Sequence, residues 1–367
     1  MRLAPNLQRN LIRILPFGII WLVFGWVFLS VEYAATDGFS YLPEGAIRPE
    51  GKVFLFASIA VTSLGLLVGF IELRFLSRLF ARTSFIKSII LKLIIYLVLL
   101  ELVIFIVYPI AASIEKGVGL LDPLIWKNYL AYISGRSHIS TILQMFVSLA
   151  VSLFYAGISD NIGTANLLRL LSGRYHRPRE EERIFLFLDM NDSTAIAEKL
   201  GHTLYFELLR SYYRDLSDAV IAHWGEIYQY VGDEVVISWP RKKGIQNRNC
   251  LQCFHRMKAD LENRHQRYLK RFGVAPTFKA GMHIGPVTTG EIGALKKEIV
   301  FTGDVLNTTA RIQGLCHQYQ SDLLLSRRLT EQLDLNEDFT VISLGDLQLR
   351  GKSEVVEVVS VSEIVIR

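Results

Sequence analysis

A four-helix membrane-spanning domain followed by an α+β domain is the architecture that the sequence predicts, and three observations predict it. Of the 367 residues 51% are hydrophobic, and the mean hydropathy is +0.30, which is high for a soluble chain. The apolar excess is gathered in four stretches of the first half, at about residues 11–31, 53–75, 88–114 and 139–158. Each reaches the ~20 residues that a helix needs to cross a bilayer. From Arg183 onward, short β-branched and aromatic runs alternate with helical patterns instead. The chain thus divides into a membrane domain (1–165), a linker (166–182) and an α+β domain (183–367).

Flanking charges orient the four spans. Arg2, Arg9 and Arg13 precede the first, Arg74, Arg78, Arg82 and Lys87 separate the second from the third, and Arg169, Arg174, Arg177 and Arg179 follow the fourth. The other two loops are less basic, so both termini are expected in the cytoplasm and the chain in the inner (plasma) membrane, among lipid. The first stretch has a signal-peptide alternative, with Tyr33-Ala34-Ala35 as a poor cleavage site. Glu101 lies within the third stretch, where a carboxylate is costly and marks a candidate functional position. Glu72 lies near the basic loop, where Arg74 or Arg78 is the expected partner. The spans serve either as an anchor that pre-aligns two copies or as a sensor, and the sequence names no regulator.

The net charge of +5 follows from these flanks and gives no reason to expect a nucleic-acid partner. Cys250, Cys253 and Cys316 all fall in the second half. Cys250-x-x-Cys253 with Cys316-His317 has the elements of a zinc site, but no second C-x-x-C pair exists and the first sits in a helical pattern, which favours structural thiols.

Along the linker, Leu167, Leu168, Leu170 and Leu171 suggest a short amphipathic helix, broken by Gly173 and Pro178 and followed by the solvated run Glu180-Glu181-Glu182. Residues 184–188 then read as a strand ending at Asp189. Helical patterns cover 193–200 and 203–224, separated by Gly201. YQYVGDEVVISW (228–239) reads as a hairpin with Gly232-Asp233 at its tip. A polar helix over 247–271, a strand over 277–284 and the glycine-punctuated GPVTTGEIG (285–293) follow. Strands are expected at 298–302, 323–326, 330–333, 339–349 and 355–361, with a helix over 304–318. The order β-α-α-β-β-α-β is that of a ferredoxin-like core with additions.

In that core the first strand and the hairpin lie side by side, so Asp189 and Asp233 converge. Neighbouring carboxylates repel unless neutralised, and Mg²⁺ or Mn²⁺ does so with oxygen ligands and substrate phosphates. Ser193 and Thr194 open a helix whose free N–H groups suit phosphate oxygens, and their bland role is N-capping. In FTGDVLNTTARIQ (301–313), Asn307 and Arg311 stand four apart on one helical face. An amide and a guanidinium there suit a phosphoester transition state, whereas the bland alternative is surface pairing.

FLFLDMNDST, YVGDEVV, FKAGMHIGPVTTGEIG, TGDVLNTTAR and LRGKSEVVEVVSV occur in this order over nearly the whole second half. Together they resemble the catalytic domain of the class III adenylate and guanylate cyclases. The resemblance implies a class III nucleotidyl cyclase fold and two divalent cations, Mg or Mn, held by Asp189 and Asp233 with the backbone of Met190. It makes Asn307 and Arg311 the transition-state pair and Lys352 the triphosphate-binding lysine, with Arg350 the alternative; Ser193 and Thr194 stay phosphate-binding candidates from the helix start. It also implies ATP as substrate and a homodimer formed through catalytic and membrane domains, because family sites combine residues of two catalytic domains. Gln229 and Val300 occupy the family's base-recognition positions but match neither the adenine nor the guanine pattern, and Lys279 is a further candidate base reader. The expected activity is an adenylate cyclase, a phosphorus–oxygen lyase making cyclic AMP for signalling. A guanylate cyclase or an inactive nucleotide sensor is the alternative. A diguanylate cyclase reading of Gly232-Asp233-Glu234 lacks the flanking residues, and a transporter reading lacks paired polar groups in the spans.

Overall fold

The computed structural model describes residues 5–38, 51–80, 83–295, 297–335, 339–348 and 355–363. Two compact units divide between Leu168 and Arg169, with the N-terminal Pro5 and Asn6 grouped with the second. The first unit contains helices α1 (Pro5–Ala35), α2 (Gly51–Ile71), α3 (Phe85–Lys116), α4 (Pro123–Ile133) and α5 (Arg136–Ile162). Four segments, Leu7–Ala35, Gly51–Leu76, Ile90–Lys116 and His138–Asp160, are long and apolar enough to cross a bilayer. They coincide with the four predicted stretches. The additional helix α4 was not expected; Asp122 caps it by accepting from the Leu124 amide at 2.8 Å, with Pro123 at its first position.

Small residues let these helices approach closely. A Cβ on Gly65 would lie 2.7 Å from the Trp21 ring, and one on Gly69 2.9 Å from Phe17. Trp21 donates to the Ser152 hydroxyl at 3.2 Å, satisfying its indole within the bundle. Glu72 differs from expectation. A π-helical turn, Glu72–Leu76, extends α2. Its carboxylate is buried and accepts from Lys92 and, at 3.1 Å, from Tyr96 of α3, with no bond from Arg74 among the described residues; the Arg78 side chain lies outside them. The wider turn offsets the helical register locally, which accounts for the inward direction.

The second unit begins in the last turn of α6 (Thr164–Leu171). Its strands are β1 (Arg179–Met190), β2 (Glu226–Val231), β3 (Glu234–Pro240), β4 (Phe278–Ile292), β5 (Glu298–Thr302), β6 (Leu323–Ser326), β7 (Phe339–Gln348) and β8 (Val355–Glu363). They form one mixed sheet in the order β2-β3-β1-β4-β6-β8-β7, with β5 paired to β4. The first four positions are the ferredoxin-like core. Helices α7 (Ser193–Ala222), α8 (Asn249–Asn263), α9 (His265–Phe272) and α10 (Asp304–Gly314) complete it. Gly201, at φ 71°, kinks α7 where the sequence separates two helical patterns.

Alternation along β1 builds two cores. Ile184, Leu186, Leu188 and Met190 enter the large one with residues of α7, α8 and α9, whereas Phe185 and Phe187 join Val236, Val287, Phe301 and Val305 under α10. Three segments differ from the sequence reading. Residues 285–292 are the second half of β4, because Gly285 and Gly290 accommodate close neighbours at Val305 and Pro178. Arg327–Thr330 is a helical turn capped by Ser326, and residues 331–333 are a turn, so no strand spans 330–333. The acidic run 180–182 belongs to β1, with Glu181 accepting from Thr289 at 2.8 Å. The thiols are buried, Cys250 and Cys253 in the large core and Cys316 in a separate cluster, and burial pushes Cys250 and Cys316 up to about 12. No group of three metal-ligating side chains occurs among the described residues.

Helix α10 is seated by two glycines of β4. A Cβ on Gly281 would lie 2.4 Å from the Gln313 backbone nitrogen, and one on Gly285 3.0 Å from the Val305 side chain. Gly281→Ala should therefore destabilise the domain by about 1–3 kcal/mol, as overpacking against rigid backbone does. Gly285→Ala should cost less, since a side chain can yield. Thermal unfolding of the full chain in detergent, followed by circular dichroism for each variant, measures the difference.

Candidate functional site

Strand register brings Asp189 and Asp233 together. Leu188 pairs with Val235, which sets the next β1 residue, Asp189, beside the start of β3 at the hairpin tip. Asp189 is in phase with Phe185 and Phe187, so it emerges on the face that carries α10. Gly232 takes φ +64°, a conformation that suits glycine and turns the chain so that Asp233 sits at the tip. Tyr213 of α7 donates to the Gly232 carbonyl and stacks on Tyr230 at 4.4 Å, bracing the hairpin from the opposite face.

Burial first, then the neighbouring Asp233 and, more weakly, Glu234 push the Asp189 carboxyl up to about 6, against a lowering contact from Gln313. Asp233 Oδ2 is buried with no hydrogen-bond donor among the described residues. Two half-buried carboxylates, one with an unused oxygen, fit a hard divalent cation. With only two acidic ligands, further coordination would come from the Met190 carbonyl, water or substrate phosphate. Gln313, at the far end of α10, is a contact of Asp189 that no sequence motif flagged.

The structure corrects the capping role considered for Ser193 and Thr194. Asp192 is the N-cap of α7, at φ 55° and without a side-chain capping bond, so Ser193 and Thr194 are the first two helical residues. This terminus adjoins Asp189 in sequence. Asn307 is exposed and Arg311 half-buried on α10, and neither has an ion pair or hydrogen bond among the described residues. A surface acid paired with Arg311 is therefore absent among the described residues. Within one chain no hydrogen bond or ion pair joins these two side chains to the carboxylate pair among the described residues, although Gln313 of the same helix reaches Asp189.

The base-recognition candidates are less closely joined. A bulge in β2 between Ile227 and Gln229 sets Gln229 opposite Val236, on the α10 face. Tyr228 packs at a tilt on Phe301, centroids 4.9 Å apart, so side chains of β2 and β5 touch. Val300, adjacent to Phe301 in β5, pairs with Gly290 and alternates to the face opposite Phe301. Lys279 pairs with Asp189 in register, three strands from Gln229 and so roughly 14 Å away. It lies at the acidic end of this chain's sheet, beside Asp189. Lys352 and Arg350 lie outside the described residues.

A polar cluster that spacing does not reveal lies at the other end of β1. Arg183 is 1% exposed, reaches Glu226 at 2.6 Å and Ser238 at 3.0 Å, and stacks on Phe301 at 4.6 Å. Arg169 closes on Glu226 with two bonds of 2.7 and 2.8 Å. Glu181 faces Arg183 at 3.3 Å, so two guanidiniums meet two carboxylates. The pattern leaves no trace in sequence because its members are 57 and 43 residues apart.

Comparison with known proteins follows these geometries. A model of the adenylate and guanylate cyclase catalytic domain matches residues 176–361. "Adenylate cyclase 2" of Rhizobium meliloti (strain 1021) is 33% identical over 210 residues, covering 57% of this chain and 58% of that protein. "Adenylate cyclase 1" of the same strain is 27% identical over 191 residues, covering 50% of this chain and 28% of that protein. The chain thus spans less than two thirds of the length of these relatives. A solved bacterial light-regulated adenylyl cyclase shares the fold at TM-score 0.52 and 20% identity, over 61% of this chain and 64% of that one.

Burial raises the Glu226 carboxyl, but the Arg183 and Arg169 guanidiniums outweigh it and hold the group below its usual 4.5. A carboxyl depressed on folding contributes stability above the unfolded value and loses it as pH falls toward the folded one. The wild-type melting midpoint should therefore exceed that of Glu226→Gln by a constant margin above pH 5. The margin should shrink as pH falls below about 4.5. Paired thermal melts across pH 3.5–7 check this.

Proposed function

The chain belongs to the adenylate and guanylate cyclase catalytic domain family, and from that membership we propose that it is a membrane-anchored adenylate cyclase converting ATP to 3′,5′-cyclic AMP and pyrophosphate. The observation that carries the proposal is the separation of two half-sites on one chain. Asp189 and Asp233 form a cation-ready pair with an unused buried oxygen, while Asn307 and Arg311 stand unengaged on another element. Two copies related by a two-fold axis would complete two equivalent sites, each half serving its partner.

In this reading Asp189 and Asp233, with the Met190 carbonyl, hold two Mg²⁺ or Mn²⁺ ions. When bound, these supply the positive charge that acidifies the ribose 3′-hydroxyl and offsets the triphosphate. The chain's own groups do the positioning. The N-terminus of α7, at Ser193 and Thr194, presents backbone N–H groups toward phosphate oxygens, and Lys279 and Lys352 add cationic contacts. The 3′-oxygen attacks the α-phosphorus in line, the bond to the bridging oxygen breaks, and pyrophosphate leaves. Arg311 of the second copy neutralises charge on the pentacoordinate phosphorus, and Asn307 orients the ribose oxygen. Nucleophile and electrophile share one substrate, so orientation and charge account for most of the rate.

Gln229 has an amide that can both donate and accept, while Val300 offers no side-chain hydrogen bond. ATP is favoured by the relatives, whose names say adenylate cyclase. The four long helices anchor the pair, with the arginine-rich flanks and the catalytic domain on the cytoplasmic side of the plasma membrane.

Co-expression of two inactive variants tests the shared site. Asp233→Ala and Arg311→Ala should each lower cyclic AMP formation by roughly 10²-fold or more. Together they should restore about a quarter of wild-type activity, because half of randomly paired dimers carry one intact site of two. No recovery from a mixed dimer shown to have formed would place all four groups in one chain's site. Parallel assays with ATP and GTP in Mn²⁺ decide the base, and cyclic GMP would overturn the ATP assignment. No cyclic product from folded wild type would favour a nucleotide sensor.

A further inference from the structure

Glu101 sits in the third long apolar helix, with its side chain 44% exposed. A carboxylate within hydrocarbon is costly unless paired. Its ion-pair partner among the described residues is His138 of α5, with Nε2 at 3.7 Å, beyond hydrogen-bond length. His138 Nδ1 is buried and has no hydrogen-bond partner among the described residues. Tyr132, edge-on to the imidazole at 5.4 Å, already donates to Thr141 at 2.8 Å. Two other acids of this unit have closer partners. Glu72 has Lys92, Tyr96 and Ser77, and Asp160 has Arg13.

Beside Glu101 lies a cavity of about 180 Å³ between α3 and α5. Leu93, Leu97 and Ile104 form one wall and Ile142, Met145 and Leu149 the other, and Glu101 is the one ionisable group in the lining. From Leu93 to Ile104 the wall runs about 16 Å along the helix. A long apolar slot with a single anion near one end has the polarity of an amphiphile with a cationic head. An anchor requires neither the slot nor the carboxylate, and tight packing would fill the one and exclude the other.

We propose that this cavity binds an alkyl chain ending in a protonated amine, with the ammonium donating to Glu101 and the chain lying between Leu97 and Leu149. An ammonium offers three donors and an opposite charge, which answers the unmet demand of the carboxylate. The imidazole of His138 is a second polar surface at that end. The inference is independent of the cyclase reading, because it concerns binding alone.

Tritiated dodecylamine is the probe, with the full chain in phosphatidylcholine nanodiscs. One saturable site per chain, absent from empty nanodiscs, is expected. Glu101→Gln should weaken it at least tenfold, and Leu97→Trp, which fills the slot, should abolish it. Melting curves confirm that each variant folds, and either variant alone keeps the test decisive if the other does not. Equal affinity in wild type and Glu101→Gln would overturn the proposal, as would unchanged binding in Leu97→Trp. Competition by dodecanol as strong as by unlabelled dodecylamine would also overturn it, showing a site for apolar chains without a cationic preference.

Discussion

Two carboxylates held side by side repel each other, and the catalytic unit is arranged so that they cannot separate. Asp189 is fixed by the longest ladder of the sheet, twelve paired positions between β1 and β4, and by six more with β3. Asp233 is fixed by a two-residue turn whose glycine adopts φ +64°. Relaxing either would break backbone hydrogen bonds of the sheet. Burial first, and then this repulsion, raise the Asp189 carboxyl, and beside it one Asp233 oxygen is buried without a donor among the described residues. A cation would relieve both at once, which is the physical ground for the metal site proposed there.

The sequence reveals this part well for a physical reason. β-Strand alternation has period two, so once β1 is identified the side on which Asp189 emerges follows from Phe185 and Phe187. The Gly-Asp turn is similarly local. Misreadings occur where tertiary contact overrides local signal. Gly285 and Gly290 look like loop punctuation but serve close approach within β4. The apparent strand at 330–333 has the right composition, yet the Ser326 hydroxyl caps a helical turn just before it. Helix α4 is hidden in a loop between two dominant apolar signals, although Asp122-Pro123 is a helix-start pair. Lys279 required the β1–β4 register before it could be placed beside Asp189 rather than near Gln229.

The membrane unit shows a different balance. Length and hydropathy fix its four long helices, but their packing depends on residues that hydropathy ignores. Gly65 and Gly69 permit contact with Trp21 and Phe17, and the single π turn at Glu72 decides whether a carboxylate meets the basic loop or the neighbouring helix. With Lys92 and Tyr96 both donating to it, Glu72 ties α2 to α3 through a buried charge pair. Breaking such a pair leaves the remaining charge uncompensated, so the contact resists sliding of one helix on the other.

At the start of the catalytic unit, Arg183 presents the strongest case for a rigid entry. A fully buried guanidinium is tolerated because Glu226, Glu181, Ser238 and the Phe301 face all meet it. Arg169 adds a second grip on Glu226, one nitrogen donating to both carboxylate oxygens, and Tyr175 reaches the same cluster through Glu181, while its carbonyl accepts from the Glu291 amide at 3.1 Å. Residues 169–178 therefore attach to β1, β2 and β4 by charge and hydrogen bonds in addition to chain continuity. Phe301 and Tyr228, the aromatic pair next to Val300 and Gln229, rest on this same guanidinium. A displacement of the segment at Arg169 has to be absorbed either by breaking buried ion pairs or by moving the edges of β2 and β5 with it. Given the cost of leaving a buried charge unpaired, several kcal/mol, moving the edges is the easier response. The strands that carry the base-recognition candidates are thus mechanically joined to the point where the chain enters the domain.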